Sequence, residues 1–270
     1  MQHPHLLRDQ ADGVAILTLN RPERRNAMSP EMIVRLADAW GELRDDPTVR
    51  VVLLEGSGDK AFCAGADLGR LIPLLTGSRE VEDEWDERLM ANRKLLSTAL
   101  LRGFDLFKPV VVAVNGHALA GGTEILLGTD FRIASEEATF GLTEVRRGLI
   151  PAGGSLARLA RQIPYTAAMK VILGGEPISA EEALRYGLVT ETTPAREVGG
   201  RAREVAKAVA QGAPIALAKA KEAVIRSSGV PLDEAFRIEN ECAREVMATE
   251  DAREGPKAFM EKRKPEFKGR

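Results

Sequence analysis

The chain has 270 residues, of which 44% are hydrophobic and 29% are charged, a balance typical of globular proteins that bury a full core. Its formal net charge of −2 lacks the basic excess of nucleic-acid binders, and no apolar run approaches the roughly 18 residues of a membrane span. The N-terminal segment has no apolar stretch for a signal peptide, and Cys63 and Cys242 make neither a disulfide framework nor a metal cluster. We therefore expect a cytoplasmic protein with no metal site, no membrane contact and no nucleic-acid partner.

The first two-thirds of the chain alternates predicted strands with predicted helices. Ser29 suits an N-cap and Pro30 a first-turn proline, so a helix is expected from there to about Leu43. A loop is expected over residues 56–65, and residues 71–106 are predicted as a long, charged and mostly helical excursion. The predicted strands are residues 14–20, 51–54, 110–114 and 131–134. This alternation predicts an α/β fold with crossover connections.

Beyond Ser179 the sequence signals are helical. Ser179 and Glu182 have the spacing of a capping box, and three further helices are predicted. They begin near Glu197, Pro214 and Pro231 and are separated by Gly212, Gly229 and Gly255. We divide the chain into a core, residues 1–195, and a helical C-terminal region, residues 196–270. Helices with wide apolar stripes often dock against another subunit, so an oligomer is expected.

The segment after the third predicted strand has the pattern of an anion-binding turn. The strand stops at Asn115-Gly116, and Gly121-Gly122 opens a helix that carries Glu124. A strand that ends at glycines and restarts as a helix leaves main-chain N–H groups directed at one point, with the helix dipole behind them. Such a turn holds a phosphate, or an oxyanion that forms during a reaction. Glu124 would repel a phosphate, which favours the oxyanion.

Other chemistries fit these residues less well. Residues 116–123 nearly spell a phosphate loop, but Gly122 stands where a phosphate-binding lysine belongs, and the chain has no dinucleotide fingerprint. A hydrolase triad needs a histidine beside its nucleophile, and the only internal one, His117, is interpreted as a polar residue at a loop-to-helix junction. Cys63 has no base near it in the sequence and is interpreted as a packing residue. The acidic residues 80–87 are interpreted as a solvated helix face.

Two glutamates remain as candidates for proton transfer. Glu124 follows the first glycine turn, and Glu144 precedes a second glycine-rich turn at residues 148–154. A buried pair of carboxyl groups is unfavourable unless one of them is protonated, so such a pair rarely serves packing alone. From spacing alone, two exposed glutamates explain the sequence equally well.

Five blocks of sequence, in order along nearly the whole chain, resemble the signature blocks of the crotonase (enoyl-CoA hydratase/isomerase) superfamily. They are Lys60-Ala-Phe-Cys-Ala-Gly-Ala-Asp-Leu68, Asn115-Gly-His-Ala-Leu-Ala-Gly-Gly-Thr-Glu124, Phe140-Gly-Leu-Thr-Glu144, Gly148-Leu-Ile-Pro-Ala-Gly-Gly154 and Asp251-Ala-Arg-Glu-Gly-Pro-Lys-Ala-Phe-Met-Glu-Lys-Arg263. The resemblance implies an α/β fold, a crotonase-like spiral of ββα units with a helical C-terminal region. It also implies assembly as a homotrimer or a dimer of trimers.

The resemblance assigns roles to individual residues. The main-chain N–H groups of Ala66 and Gly121 would form an oxyanion hole for a thioester carbonyl. Glu124 and Glu144 would be the two catalytic carboxylates, with Glu144 delivering a proton to C2 and Glu124 polarising the water. The CoA-binding positions implied are Ala64, Ala66, Asp67 and Leu68, in a loop that would cradle the adenine, and Lys262, which would face the phosphates, often across a subunit boundary.

The activity implied is reversible hydration of a trans-2-enoyl-CoA thioester, with coenzyme A as part of the substrate and no separate cofactor. Two carboxylates favour hydration over double-bond isomerisation, which typically needs one. The sequence is also compatible with a glutamate-dependent thioester hydrolase or with a catalytically inactive interaction protein. Ala120 stands where the family commonly has a third glycine, so a slightly displaced turn is expected there. The apolar residues of the 71–106 excursion are expected to form helix core, and lining an acyl pocket is the alternative.

Overall fold

The computed structural model describes residues 3–270. Its strands are β1 (Leu6–Ala11), β2 (Val14–Leu19), β3 (Val51–Gly56), β4 (Ala61–Cys63), β5 (Val110–Val114), β6 (His117–Leu119), β7 (Phe131–Ser135), β8 (Thr139–Gly141), β9 (Ile178–Ser179) and β10 (Glu191–Thr193). Its α-helices are α1 (Pro30–Asp45), α2 (Leu71–Thr76), α3 (Glu84–Ala91), α4 (Lys94–Ala99), α5 (Gly121–Leu126), α6 (Ser155–Gln162), α7 (Tyr165–Gly174), α8 (Ala180–Tyr186), α9 (Val198–Val209), α10 (Pro214–Ser227), α11 (Leu232–Met247) and α12 (Asp251–Met260). Short 3₁₀ turns lie at Pro22–Arg24, Glu144–Arg147 and Ala195–Glu197.

The strands form two sheets that the chain visits alternately. The large sheet has the order β1-β2-β3-β5-β7-β10, and only β1 is antiparallel to its neighbour. The small sheet has the order β4-β6-β8-β9, with β9 antiparallel. From β3 to β8 each strand of the large sheet is followed by a short strand of the small sheet, and helices follow each such pair. The spiral of ββα units is thereby confirmed.

The large sheet carries buried apolar residues on both faces. Along β5, Val110, Val112 and Val114 belong to the cluster that includes the apolar face of α1, whereas Val111 and Ala113 pack with α9. Side chains of a strand alternate between faces, so a strand covered on both sides must be apolar at every position. This explains why β5 reads as an uninterrupted apolar run.

Several local predictions are confirmed. Ser29 caps α1, since its Oγ accepts a hydrogen bond from the Met32 N–H at 3.2 Å, and Pro30 is the first helical residue. Ser179 and Glu182 form the predicted capping box at the start of α8. The predicted strands correspond to β2, β3, β5 and β7.

The short strands and the polar strand β1 were not predicted from the sequence. The segment predicted as a loop over residues 56–65 contains β4, and β6, β8, β9 and β10 have at most three residues each, too few to show a period. β1 has one buried position and five exposed ones, so it lacks an apolar signature. Just before it, His5 Nδ1 lies 2.7 Å from Ser29 Oγ, which ties this end of the chain to α1. Gly255, predicted to separate helices, lies inside α12.

The excursion over residues 71–106, predicted as mostly helical, contains three short helices, α2, α3 and α4, joined by non-helical segments. Its acidic segment is only partly the solvated face that the sequence suggests. Asp86 is fully buried, and its carboxylate accepts hydrogen bonds from both Nη atoms of Arg79, at 2.6 and 2.9 Å, and from the Glu82 N–H at 3.0 Å. The Asp86 carboxylate therefore fixes the segment that connects α2 with α3.

The C-terminal helices divide into two kinds. α9 covers one face of the large sheet with Val198, Ala202 and Ala206, whereas α10 has no buried residue and packs mainly against α11. The predicted boundary between residues 195 and 196 thus falls just before a helix that belongs to the packed core, and it stays a prediction. Over residues 3–270 no helix has the length and apolar content to cross a membrane.

Candidate active site

The small sheet gathers three predicted site segments at one edge. Its strands β4, β6 and β8 are parallel neighbours, so their carboxyl ends lie side by side. The bend at Ala64–Ala66 follows β4, the bend at Ala120–Gly121 follows β6, and Glu144 comes three residues after β8. The carboxyl ends of parallel strands are the usual place for ligands in open α/β sheets.

The two bends are in direct contact. Gly65 has a φ of +93°, and a Cβ placed on it would lie 2.7 Å from Ala120 Cβ and 3.1 Å from the Gly121 nitrogen. A Cβ placed on Gly121 would lie 3.7 Å from the Ala66 nitrogen. Within residues 3–270 neither the Ala66 N–H nor the Gly121 N–H has a hydrogen-bond acceptor. Two neighbouring main-chain donors are therefore free to bind one oxygen atom.

Ala120, which stands where the family commonly has glycine, adopts a main-chain conformation that is unfavourable for alanine. Its φ is +50° and its ψ is −122°, a region that glycine enters readily and alanine rarely. The turn is fixed by main-chain hydrogen bonds, because the Ala120 N–H donates to Gly141 O at 2.7 Å and its carbonyl accepts from the Glu124 N–H at 3.0 Å. The methyl group of Ala120 packs against Gly65. The expected displacement of the turn stays a prediction.

Glu124 is buried and well supplied with donors. It lies at the end of the first turn of α5, and its Oε1 accepts hydrogen bonds from the Gly153 N–H at 2.6 Å and from Ser155 Oγ at 2.8 Å. Burial raises the pKa of Glu124, while the hydrogen bonds from Ser155 and Gly153 oppose the rise by stabilising the ionised form. Over residues 3–270, Oε2 accepts no hydrogen bond from the protein, and the side chain lines a cavity.

Glu144 has the opposite environment. Its Oε2 is buried and has no hydrogen-bond partner within the part of the chain that the structure describes. Burial, with a further contribution from the charge on Glu124, raises the pKa of Glu144 to about 7. The alternative of two exposed glutamates is therefore wrong. The two carboxyl groups line one cavity in unlike environments, and such a difference moves the pKa values of a pair of carboxyl groups apart.

The cavity that these groups share has a volume of about 680 Å³. It contains the two bends, both glutamates and the loop from Ala64 to Leu68. Apolar residues of the excursion extend it on another side, namely Leu71, Ile72, Leu75, Leu96 and Leu100. The expectation of helix core holds for Leu74, Leu89 and Met90, which pack on the core and do not line the cavity. An acyl pocket formed by the cavity-lining residues of the excursion stays a prediction.

The predicted CoA-binding loop lies at this cavity, but its acidic side chain turns inward. Asp67 accepts hydrogen bonds from Arg21 Nη1 at 2.9 Å and from the N–H groups of Gly69 and Arg70. The carboxylate is thus used to fix the loop, and Leu68 stays 59% exposed at the cavity. Lys262 is exposed beyond the end of α12 and is not among the residues that line the cavity.

The remaining sequence candidates lie outside the cavity. Cys63 is fully buried at the end of β4, where burial raises the pKa of its thiol to about 12, so it is a packing residue. His117 Nδ1 lies 2.8 Å from Thr139 Oγ1, facing a separate polar crevice. Among residues 3–270, no group of three or more metal-binding side chains is placed to hold an ion.

The sequence did not predict two of the hydrogen-bond donors to Glu124, Gly153 and Ser155. Gly153 was predicted only as part of a glycine-rich turn, and Ser155 had no predicted role. A Cβ on Gly153 would lie 2.5 Å from Glu124 Oε2, so this glycine is needed for close approach of the turn to the carboxylate. No spacing rule connects positions 124 and 155, because the contact depends on how α5 and α6 pack.

Comparison with known proteins agrees with this geometry. The model of the family described as "Enoyl-CoA hydratase/isomerase" matches residues 9–270. The chain belongs to the enoyl-CoA hydratase/isomerase family. It is 39% identical to an enoyl-CoA hydratase of Mycobacterium tuberculosis, covering 99% of this chain and 97% of that one, and 38% identical to (E)-benzylidenesuccinyl-CoA hydratase of Thauera aromatica, covering 96% and 97%.

A solved member of the family has the same fold. The structure of a putative enoyl-CoA hydratase/isomerase from Mycobacterium abscessus superposes with a TM-score of 0.87 at 42% identity, covering 98% of this chain and 100% of that one. Both the superfamily resemblance and the crotonase-like α/β fold are confirmed. In this member of the enoyl-CoA hydratase/isomerase family, Glu124, Glu144 and the two bends line one cavity.

Proposed function

We propose that the protein is a hydro-lyase that reversibly adds water to a trans-2-enoyl-CoA thioester. The observation that carries the proposal is the meeting of two free main-chain donors with two unlike carboxyl groups in one cavity. Hydration needs four things at one place: a site for a developing oxyanion, a base for water, an acid for carbon and room for an acyl chain. The residues that line the cavity offer a candidate for each of the four, and the family to which the chain belongs supports this chemistry.

In the proposed reaction the thioester oxygen accepts hydrogen bonds from the Ala66 and Gly121 N–H groups. Glu124 takes a proton from water as the water oxygen bonds to C3, and the π electrons move toward C2 and the carbonyl, giving an enolate. Glu144 then gives its proton to C2. Each oxyanion donor contributes roughly 3 kcal/mol of transition-state stabilisation by precedent, and acid–base transfer contributes about 10²–10⁴-fold in rate.

No metal or redox cofactor takes part in this proposal. Water adds across a polarised double bond without change of net oxidation state, and the developing charge falls on an oxygen that amide donors can bind. Coenzyme A enters as part of the substrate. The loop from Ala64 to Leu68 is proposed to bind its adenine mainly through the main chain, because Asp67 is occupied with Arg21. Lys262 is proposed to reach the CoA phosphates of a neighbouring subunit.

We further propose a homotrimer or a dimer of trimers in the cytoplasm. The C-terminal helices expose large apolar side chains that a neighbouring subunit would cover, among them Leu232, Phe236, Met247, Phe259 and Met260. Exposed apolar side chains that form a patch mark a protein–protein interaction site, and these residues are candidates for such a patch. Both cysteines are free and buried, which fits a reducing compartment.

The test is a direct assay with purified protein. Crotonyl-CoA and longer 2-enoyl-CoA substrates are mixed with the protein, and the absorbance of the conjugated thioester is followed as water adds. Turnover on at least one chain length is expected, and the chain-length profile would then measure the acyl pocket. No turnover on any 2-enoyl-CoA, together with conversion of a 3-enoyl-CoA to a 2-enoyl-CoA, would favour the isomerase alternative.

A further inference from the structure

Ser155 contacts Glu124, although the proposed reaction assigns no proton transfer or substrate contact to Ser155. It is the first residue of α6, its side chain is fully buried, and its Oγ lies between two acceptors. Glu124 Oε1 is 2.8 Å away and Pro151 O is 3.0 Å away. A serine hydroxyl has one hydrogen, so Ser155 can donate to only one of these oxygens at a time.

The two acceptors compete differently in the two protonation states of Glu124. An ionised carboxylate accepts a stronger hydrogen bond than a neutral carbonyl, so the hydroxyl donates to Oε1 when Glu124 is charged. Once Glu124 has taken a proton from water, its acceptor strength falls. The hydroxyl can then rotate to Pro151 O and keep a partner there, so neither state leaves a buried donor unsatisfied.

We propose that Ser155 is a positioning residue that holds Glu124 ionised before the base step, and that its hydroxyl turns to Pro151 O when Glu124 becomes protonated. The proposal rests on the proposed hydration, in which Glu124 is the base. Ser155 binds Oε1 together with the Gly153 N–H, and both donors thereby leave Oε2 for the water. Oε2 of Glu144 has no such donor among the described residues, so the pair is polarised in the direction that hydration needs.

The charged groups around Glu124 are the same with or without this hydroxyl. Glu144 faces it across the cavity, Arg102 comes from the end of the excursion and donates to Ala152 O, and Arg158 comes from α6 and donates to Leu100 O. Replacing Ser155 changes none of these charges. A shift in the titration of Glu124 would therefore report the loss of a donor rather than a change in local charge.

The test compares Ser155→Ala with wild-type protein by the pH dependence of kcat/KM for hydration. Loss of one hydrogen bond to the charged form raises the pKa of Glu124 by about one unit. The acid limb of the profile should therefore move up by about one pH unit, whereas the alkaline limb, in which Glu144 loses its proton, should move less. A uniform drop in kcat with both limbs unmoved would overturn the proposal and leave Ser155 a structural residue.

Three further measurements keep the test decisive. Ser155→Thr keeps a hydroxyl and should return the acid limb toward its wild-type position, whereas failure to do so in a folded protein would count against the proposal. Ser135→Ala removes another fully buried serine hydroxyl, outside the cavity, and should leave the acid limb unmoved.

Carboxyl ¹³C NMR of labelled glutamate follows the titration of Glu124 in the absence of turnover. If the wild-type protein were inactive on every 2-enoyl-CoA, the proposed hydration would be rejected. The NMR titration of Glu124 in wild-type protein and in Ser155→Ala would still show whether the Ser155 hydroxyl stabilises the ionised carboxylate.

Discussion

Glu124 and Glu144 have the same side chain, and the backbone around them makes them chemically unlike. Glu124 receives two donors on one oxygen, and Glu144 has a buried oxygen with none among the described residues. The same substitution at either position should therefore have different consequences for the titration of the site, although both should lower the rate.

Replacing Glu144 by glutamine removes the proposed proton donor while keeping the size of the side chain. Turnover of a 2-enoyl-CoA should fall by about 10²–10⁴-fold, the usual contribution of general acid catalysis. Binding of a saturated acyl-CoA, measured by calorimetry, should change little, because the oxyanion donors and the CoA loop are intact. Glu136→Gln, an exposed glutamate after β7, is the matched control. An unchanged rate in Glu144→Gln would remove this residue from the mechanism.

The pH profile follows from the pKa of Glu144, which burial raises to about 7. In the proposed mechanism the active pair carries one proton, on Glu144 before hydration and on Glu124 after it. Hydration and dehydration therefore need the same total protonation, and kcat/KM in both directions should fall together as the pH rises above about 7. This agrees with the reaction itself, which takes up no net proton. Steady-state kinetics from pH 5 to 9 in both directions check it, and a profile that stays flat to pH 9 would contradict it.

Residue identities at the site were largely predictable, but residue environments were not. The sequence places two glutamates and two bends in order, and the resemblance assigns their roles. It does not show that Oε1 of Glu124 is bound by Gly153 and Ser155, because those contacts form only when two distant helices pack. Nor does it show that Asp67 turns inward to Arg21, since a carboxylate in a loop normally faces water.

The turn between residues 151 and 155 is the element on which Glu124 depends. A methyl group at Gly153 would lie 2.4 Å from Leu100 Cδ1 and 2.5 Å from Glu124 Oε2, so the turn or the carboxylate must move. Gly153→Ala should lower hydration at least tenfold, because about an ångström of misplacement can cost up to 10²-fold in rate. It should also reduce the free energy of unfolding by about 1–3 kcal/mol, as overpacking does.

The matched control is Gly41→Ala, in the interior of α1. A methyl group there meets no atom within 4 Å, so the change should leave activity intact. It should raise the free energy of unfolding by about 0.5–1 kcal/mol, because alanine favours the helix. Denaturant titration and the hydration assay separate the two variants. Equal losses in both would mean that the turn has no special role.

The excursion should depend on the Asp86–Arg79 pair. Asp86→Asn leaves the Arg79 guanidinium without its bidentate carboxylate, and the free energy of unfolding should fall by about 3 kcal/mol. Burial raises the pKa of Asp86, but the hydrogen bonds from Arg79 outweigh this and leave it lowered. The stabilisation is therefore present above the unfolded-state pKa, near 4, and is lost as the pH falls below it. Urea titrations at pH 7 and pH 3 check both points, with Asp45→Asn, an exposed pair with Arg44, as the control.

Elements were predictable from sequence in proportion to their length and apolar content. α1 and β5 have enough residues to show a period, and both are found where predicted. β4, β6 and β8 have three residues each, yet they carry the site, so the part of the sheet that matters most for function leaves the weakest pattern. That edge was identified by the family resemblance of three sequence blocks, residues 60–68, 115–124 and 140–144, which contain or overlap these strands.

The whole molecule should assemble through its C-terminal helices. Phe259 is 82% exposed and Met260 79% exposed on α12, values that a neighbouring subunit would reduce. Phe259→Asp should therefore shift the protein from trimer or hexamer toward monomer in analytical ultracentrifugation. Leu7→Asp, on β1 at the far edge of the large sheet, should not. A wild-type protein that sediments as a monomer would contradict the proposed assembly.

The alternation of the chain between two sheets has a consequence for how activity is acquired. The edge of the small sheet that carries the proposed active site joins segments at positions 66, 121 and 144. These segments follow strands that pair only after the intervening parts of the chain have folded. Pairings between such distant parts of a chain are slow to establish. A partly folded intermediate would contain much of the secondary structure but no complete active site. During refolding, enzymatic activity should therefore recover later than the circular-dichroism signal of the helices.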